Sequence, residues 1–309
     1  MSEHKRKIGI VGLGMVGSPH LRWFSEISGH LRWRDLFLDD TDPKRGCFDD
    51  ISLAEVIFVC VPTPSNSDGS CNISIVDNAL SRLRDGQVAV IKSTIPPYTT
   101  EMFQAKYQNL RILFSPEFLT EARAWEDFLH PARQVIGYTR KSKDDAMMVL
   151  DLLPRPDNYV WFKMTATEAE FVKYFSNVFG AVKVTLANII YDMCSALSRQ
   201  SGLEINYENI RQGVGADPRI GLSWLDVHHG ICRGFTGYCL PKDLNAFIAS
   251  GRQLTRENLG SPFEDALLSC GVEGVLGAVR RYNSTLLMAQ GKTEEDVSKH
   301  DKDLEKEKL

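Results

Sequence analysis

The 309-residue chain lacks most of what would mark a secreted, metal-stapled or nucleic-acid-binding protein. Its seven cysteines (Cys47, Cys60, Cys71, Cys194, Cys232, Cys239 and Cys270) are odd in number and include no CxxC pair. That argues against a disulfide framework and a structural zinc site, and it favours a reducing compartment, the cytoplasm. His228 and His229 are adjacent and do not converge from a regular element, and His130 precedes Pro131 in a loop, so no metal is expected. The net charge of -4 comes with scattered lysines and arginines, which excludes the dense cationic patch that a nucleic-acid backbone requires. No apolar run reads as long enough to cross a bilayer, so no membrane partner is expected. The start, Met1 to Lys7, leads straight into a short apolar strand without the pattern of a signal peptide. There is no internal repeat. What is present, 43% hydrophobic and 25% charged residues, suits a globular protein of one large or two moderate domains.

The first half alternates strand and helix signals. Short apolar runs at Lys7 to Val11, Leu36 to Leu38, Val56 to Val61, Val88 to Thr94, Ile112 to Phe114, Gln134 to Gly137 and Val160 to Phe162 predict strands. Interleaved helical segments predict a parallel sheet covered on both faces. Near residue 165 the pattern changes. Thr167-Glu168-Ala169-Glu170 reads as a capping box, and a helix then runs without proline to about Gln200, ending at Ser201-Gly202. Some 35 residues make a rod of roughly 50 Å. It is apolar over several faces (Phe171, Phe175, Phe179, Val182, Leu186, Ile189, Ile190), a surplus that a second subunit would bury. More helices follow to Gln290, broken near Gly213 to Gly215 and Gly230 to Gly237. The segment from Gly291 onward is nearly all charged and predicts a frayed, solvated tail.

Gly12-x-Gly14-x-x-Gly17 follows the first strand and opens a helix. The glycines allow a tight turn and the close approach of a pyrophosphate, the mark of a dinucleotide-binding, Rossmann-type fold. A carboxylate at the end of the second strand, Asp40 or alternatively Asp39, would hold the adenosine ribose and repel a 2′-phosphate, which favours NAD. Lys173 and Asn177 lie four apart on one helical face, where they suit oxyanion stabilisation and substrate orientation; the plainer alternative is a surface lysine paired with Glu170. Glu117, just after a strand, is placed as a general base, or else as an acid satisfying a helix N-terminus. Thr94, ending another strand, is placed to bond substrate or a water, or else only to form the turn before Pro96-Pro97. In Gly237-Tyr238-Cys239-Leu240-Pro241-Lys242-Asp243, a thiol stands beside a cation and a carboxylate. With a hydride acceptor, this reads as covalent oxidation of an aldehyde: thiolate adds, hydride leaves, and water cleaves the thioester. The alternative is a small buried apolar cysteine.

In order along the chain stand Gly12 to Gly17, Val61-Pro62-Thr63-Pro64, Ser93 to Pro97, Pro116-Glu117-Phe118-Leu119-Thr120-Glu121, Glu126 to Pro131, Lys173 to Asn177, Asp217-Pro218-Arg219-Ile220-Gly221 and Cys239 to Asp243. Together these segments resemble the UDP-glucose/GDP-mannose dehydrogenase family over residues 7 to about 247.

The resemblance implies an α/β architecture. A Rossmann-type, doubly wound NAD domain (1–164) precedes an all-helical dimerisation domain with one long central helix (165–290) and a charged tail (291–309). It implies a nucleotide-sugar 6-dehydrogenase that oxidises a C6 alcohol to a carboxylate in two NAD-dependent steps, with UDP-glucose the expected substrate. Cys239 would be the nucleophile, Lys173 and Asn177 would stabilise the oxyanion, and Asp243 and Thr94 would order a water. Glu117 would serve thioester hydrolysis with Glu121 nearby, and Arg219 would reach the substrate of the neighbouring subunit of a homodimer built on the long helix. Gly12, Gly14, Met15, Val16, Gly17, Asp40, Pro62, Thr63, Thr94 and Glu121 would hold the cofactor. Glu117, Phe118, Leu119, Lys173, Asn177, Arg219, Gly237 and Lys242 would hold the sugar nucleotide.

Against the family's pattern, a third domain is expected to be missing, the segment from Thr41 to Glu55 reads as short, and Thr236-Gly237-Tyr238 stands before the cysteine. Two other readings stay open: a two-electron β-hydroxyacid-type dehydrogenase, which has no use for Cys239, and an NAD-binding partner subunit without activity of its own.

Overall fold

The structure is a computed structural model and describes residues 5–228, 230, 232–257 and 261–298. His229, residues 1–4 and the last part of the charged tail, 299–309, lie outside the described residues. The chain divides into two compact units: Met1–Asn66 with Cys71–Lys173, and Ser67–Ser70 with Tyr174–Leu309.

The first unit holds strands β1 (Ile8–Val11), β2 (Leu36–Asp39), β3 (Val56–Val59), β4 (Val88–Ile91), β5 (Arg111–Phe114), β6 (Gln134–Tyr138) and β7 (Trp161–Thr165) in one sheet, in the order β2-β1-β3-β4-β5-β6-β7. Side chains alternate between two buried clusters. Ile57, Val59, Ile91, Ile112 and Phe114 pack on one face, and Ile8, Ile10, Phe58, Val90 and Leu113 on the other. Each such side chain contributes about 1.5–3 kcal/mol by burial. Helices α1 (Gly17–Arg22), α2 (Ser74–Ser81), α3 (Thr99–Lys106), α4 (Ala124–Leu129) and α5 (Ala146–Leu152) connect the strands. The all-parallel expectation needs one correction: β5 and β6 are antiparallel, pairing Leu113 with Tyr138 and Phe114 with Gly137, while β6 and β7 are parallel. Parallel neighbours require a crossover over the sheet. The segment after Phe114 contains only the single turn Glu121–Arg123 and the short α4, and it returns antiparallel to β5. In the short stretch from Thr41 to Glu55 two single turns, Pro43–Arg45 and Ile51–Leu53, stand where a helix would otherwise be.

The long helix α6 (Ala166–Ser201) starts in the first unit and continues into the second. Its capping box lies two residues upstream of the expected one. Thr165 N and Oγ1 both donate to Glu168 Oε2 at 2.7 Å, leaving Glu170 for another task. Buried Glu170 accepts from Tyr98 N, Thr100 N and Thr100 Oγ1, capping α3. By length and composition α6 also corrects the expectation about apolar runs: an 18-residue window reaches a mean hydropathy of 1.2, sufficient to span a bilayer, with 39% of that window buried in the fold. The sequence hides this because Lys183 and Asn188 interrupt the apolar residues.

In the second unit follow α7 (Tyr207–Gly215), α8 (Cys239–Glu257), α9 (Pro262–Ala266), a π-helical stretch (Leu267–Leu276), α10 (Gly277–Met288) and α11 (Glu294–Val297). Val178, Ala181, Phe235, Leu244, Ile248, Val272 and Val279 form its core. Helix α11 corrects the frayed tail over its first residues. Thr293 and Asp296 form a capping box, Val297 is fully buried, and Gly237 N donates to Val297 O. One apolar residue among the charges suffices to dock the turn.

Candidate active site

In the first unit the glycine loop follows β1. Gly12 has φ +86°, and a Cβ at Gly17 would meet Gly12 O at 1.9 Å. A Cβ at Gly14 would meet nothing within 4 Å, so the loop backbone is open on the side where a pyrophosphate would approach. Asp40 Oδ2 accepts from Leu13 N at 2.6 Å and Oδ1 from Asp42 N at 2.8 Å, which anchors this carboxylate to the loop. Asp39 instead pairs with Arg82 at 2.8 Å. Of the two, Asp40 stands at the glycine loop. Arg45, which the sequence reading missed, donates to Leu13 O and lies 3.6 Å from Asp40; a cation five residues after the acid was the available signal. Met15 and Val16 are half-buried beside the loop, Pro62 is exposed, and buried Thr63 donates to Thr94 O at 2.9 Å. These residues fit a dinucleotide.

At the end of β5, Glu117 is buried against Lys173, whose Nζ donates to Glu117 O and Oε1, each at 2.8 Å. The ammonium lies 5.7 Å from the Phe118 ring, and Leu119 N donates to Glu117 Oε2. Lys173 is therefore not a surface lysine paired with Glu170. Glu121 opens a single turn, Glu121–Arg123, and Thr94 is half-buried after β4. A second buried lysine, Lys92, was also missed, although a lysine inside an apolar strand run signalled it. Its Nζ donates to Ser115 Oγ at 3.0 Å, and burial pushes its pKa down to about 8.

In the second unit Cys239 is the first residue of the 19-residue α8, where the helix dipole favours a thiolate. Lys242 and Asp243 follow, both buried and joined to each other, and Asn177 Nδ2 donates to Asp243 Oδ2 at 2.5 Å. The approach to Cys239 is irregular and held by side chains. Asn283 Oδ1 accepts from Phe235 N at 2.8 Å, and its Nδ2 donates to Phe235 O at 3.1 Å. Gly234 has φ +104°, and a Cβ there would stand 2.6 Å from Asn283 Oδ1. Arg233 pairs with Asp192 at 2.7 Å and bonds Asn188 Oδ1 at 3.0 Å. A single asparagine on a helix gave no sequence signal. Arg219 is exposed and pairs with Asp217 at 2.6 Å. Exposed apolar residues run along α6: Phe175 (70%), Phe179, Leu186, Met193 and Leu197. Among the described residues, no group of three or more His, Cys, Asp or Glu is arranged to hold a metal.

Residues 45–150 match the UDP-glucose/GDP-mannose dehydrogenase family, NAD binding domain, and residues 167–260 match the same family's central domain. The UDP-glucose 6-dehydrogenase of Rickettsia bellii is 33% identical over 207 residues, covering 64% of this chain and 45% of the relative. That of Pseudomonas aeruginosa is 32% identical over 289 residues, covering 80% and 62%. The structure of a UDP-glucose dehydrogenase from Pyrobaculum islandicum is similar at a TM-score of 0.72 and 26% identity, covering 94% of this chain and 72% of that one. The chain thus spans about half the length of the first of these relatives. The two domain matches and the collinear motifs converge: this chain belongs to the UDP-glucose/GDP-mannose dehydrogenase family.

Proposed function

We propose that the chain is an NAD-dependent nucleotide-sugar 6-dehydrogenase that oxidises the C6 alcohol of UDP-glucose to the carboxylate of UDP-glucuronate. The observation that carries this reading is Cys239 opening α8, with the Lys242–Asp243 pair and Asn177 in the same unit. The names of the curated relatives support the substrate.

Gly12, Gly14, Met15, Val16, Gly17, Asp40, Arg45, Pro62, Thr63, Thr94 and Glu121 hold NAD, which when bound accepts hydride in both oxidations. The Cys239 thiolate adds to the aldehyde carbon to give a thiohemiacetal, and its oxidation leaves a thioester. Lys173 and Asn177 steady the negative oxygen. Asp243 and Thr94 order a water for proton transfer. Glu117 takes a proton from the water that attacks the thioester; the carbon–sulfur bond breaks, and the thiolate departs. Phe118, Leu119, Gly237 and Lys242 line the sugar nucleotide. Arg219 reaches the substrate of a second copy, docked along the exposed apolar stripe of α6.

The test is to incubate the protein with UDP-glucose and NAD and count NADH formed per sugar consumed. A ratio of about two is expected for a four-electron oxidation. A ratio near one, or unchanged turnover in Cys239→Ala, would rule the mechanism out.

A further inference from the structure

The turn after β4 carries Thr94, and the first unit ties this turn down at both ends. Upstream, Thr63 Oγ1 donates to Thr94 O at 2.9 Å and Ser93 Oγ to Val61 O at 2.6 Å, which joins the turn to the loop after β3. Ile95 is fully buried. Pro96 and Pro97 then fix φ and bring no N–H with which to anchor the chain. The next anchor is Tyr98, and its backbone is strained. Its φ of +76° lies in the left-handed region, which disfavours any residue with a Cβ. Its side chain is 61% exposed, so packing does little to hold the backbone there.

The hold comes from Glu170 on α6, 72 residues away in sequence. Tyr98 N donates to Glu170 Oε2 at 2.6 Å, and Thr100 N and Oγ1 donate to Oε1 at 2.8 and 2.6 Å. The carboxylate is fully buried, and both of its oxygens are used. One helical turn on, Lys173 Nζ donates to Glu117 O and Oε1. The start of α6 therefore grips the loop after β4 with a carboxylate and the loop after β5 with an ammonium. Capping α3 needs only the Thr100 bonds. The Tyr98 bond does something further: it fixes a left-handed residue at the end of a double-proline turn whose other end is Thr94.

We propose that Glu170 is a positioning residue for the cofactor, holding Tyr98 in its strained conformation and thereby setting the place of Thr94 against NAD. The inference rests on the place given to Thr94 under the proposed function. Glutamine cannot substitute. An amide has one acceptor oxygen and a nitrogen that only donates, so it turns its NH2 against either Tyr98 N or the Thr100 donors. Glycine at position 98 adopts a positive φ without strain and removes the need for the hold.

A double-mutant cycle read by NAD titration, buffered above the value of about 7 to which burial raises Glu170, tests it. Glu170→Gln should weaken NAD about tenfold, and Tyr98→Gly alone by less than about twofold. The double variant should recover to within about threefold of wild type. Lower stability with unchanged NAD affinity in Glu170→Gln would make this residue a helix cap and no more, and would overturn the proposal. So would a loss of affinity that Tyr98→Gly fails to restore. If Glu170→Gln does not fold, Thr100→Val decides: it removes one of the three bonds and should weaken NAD about threefold, and unchanged affinity would overturn the proposal. Titration needs no turnover, so a failure of the dehydrogenase reading would appear in the NADH count and not here.

Discussion

In the first unit Glu117, Lys92 and Thr94 stand just beyond the ends of strands, so the backbone ladder of a seven-stranded sheet fixes their places. In the second unit Cys239 follows the irregular residues 232–238, and a few contacts hold that approach: Asn283 on Phe235, Arg233 on Asn188 and Asp192, and Val297 O on Gly237 N. A ladder shares its load over many backbone bonds, whereas a pinned loop depends on each pin. The two lysines of the first unit repeat the contrast at small scale. Lys173 is buried in an ion pair with a carboxylate; Lys92 is buried donating to a hydroxyl, with a cavity at its side and the Glu117 carboxylate acting on it only at longer range.

The largest effect is expected at the proposed nucleophile. Cys239→Ala should reduce UDP-glucuronate formation by roughly 10³-fold or more while leaving NAD affinity intact, measured by coupled NADH assay and by cofactor titration. Next, disturbing the two lysines should cost stability to different degrees. Glu117→Gln removes the carboxylate that offsets Lys173 and should cost about 3–5 kcal/mol in urea unfolding. Lys92→Met removes a buried charge that forms no ion pair among the described residues and feels Glu117 only at longer range, and it should cost less, under about 1.5 kcal/mol. Equal costs would erase the distinction between them.

The pinned loop gives a third test. Asn283→Ala strands Phe235 N and O and should cost about 1–3 kcal/mol, and it should lower turnover without weakening NAD binding. A turnover equal to wild type would show that the loop holds Cys239 without this pin. Fourth, Phe175→Glu places a charge on the exposed stripe of α6 and should weaken self-association roughly 30-fold in sedimentation velocity.

The smallest effect is a pH slope. Burial, larger than the opposing hydrogen bonds from Thr100 and Tyr98, pushes Glu170 from 4.5 up to about 7. The folded state then holds its proton more tightly than the unfolded chain. The contribution is fully present below about 4.5 and is lost as pH rises to about 7, flat beyond. Glu170→Gln should remove that slope from unfolding curves recorded across the same range.

Much of the first unit was legible in the sequence because strands there are short apolar runs with turn residues at their ends, and Gly12 to Gly17 has few other uses. The antiparallel turn to β6 was not legible, since local composition does not record which way a strand returns. The capping box was placed two residues late because Thr165–Glu168 and Thr167–Glu170 have the same spacing. Only packing shows that Glu170 serves α3. Cys239, Lys242 and Asp243 announced themselves as a cluster. Asn283, Arg233 and Lys92 are single polar residues whose importance comes from neighbours distant in sequence, and α11 was masked by the charge around Val297.

The central claim is a covalent bond between the sugar's C6 and one sulfur. Intact-protein and peptide mass spectrometry after rapid quenching of protein with UDP-glucose and NAD tests it most directly, with Glu117→Gln used to slow hydrolysis. The account predicts a nucleotide-sugar acyl adduct on the Cys239 peptide alone; turnover to the carboxylate with no adduct there, or with full activity in Cys239→Ala, would contradict it.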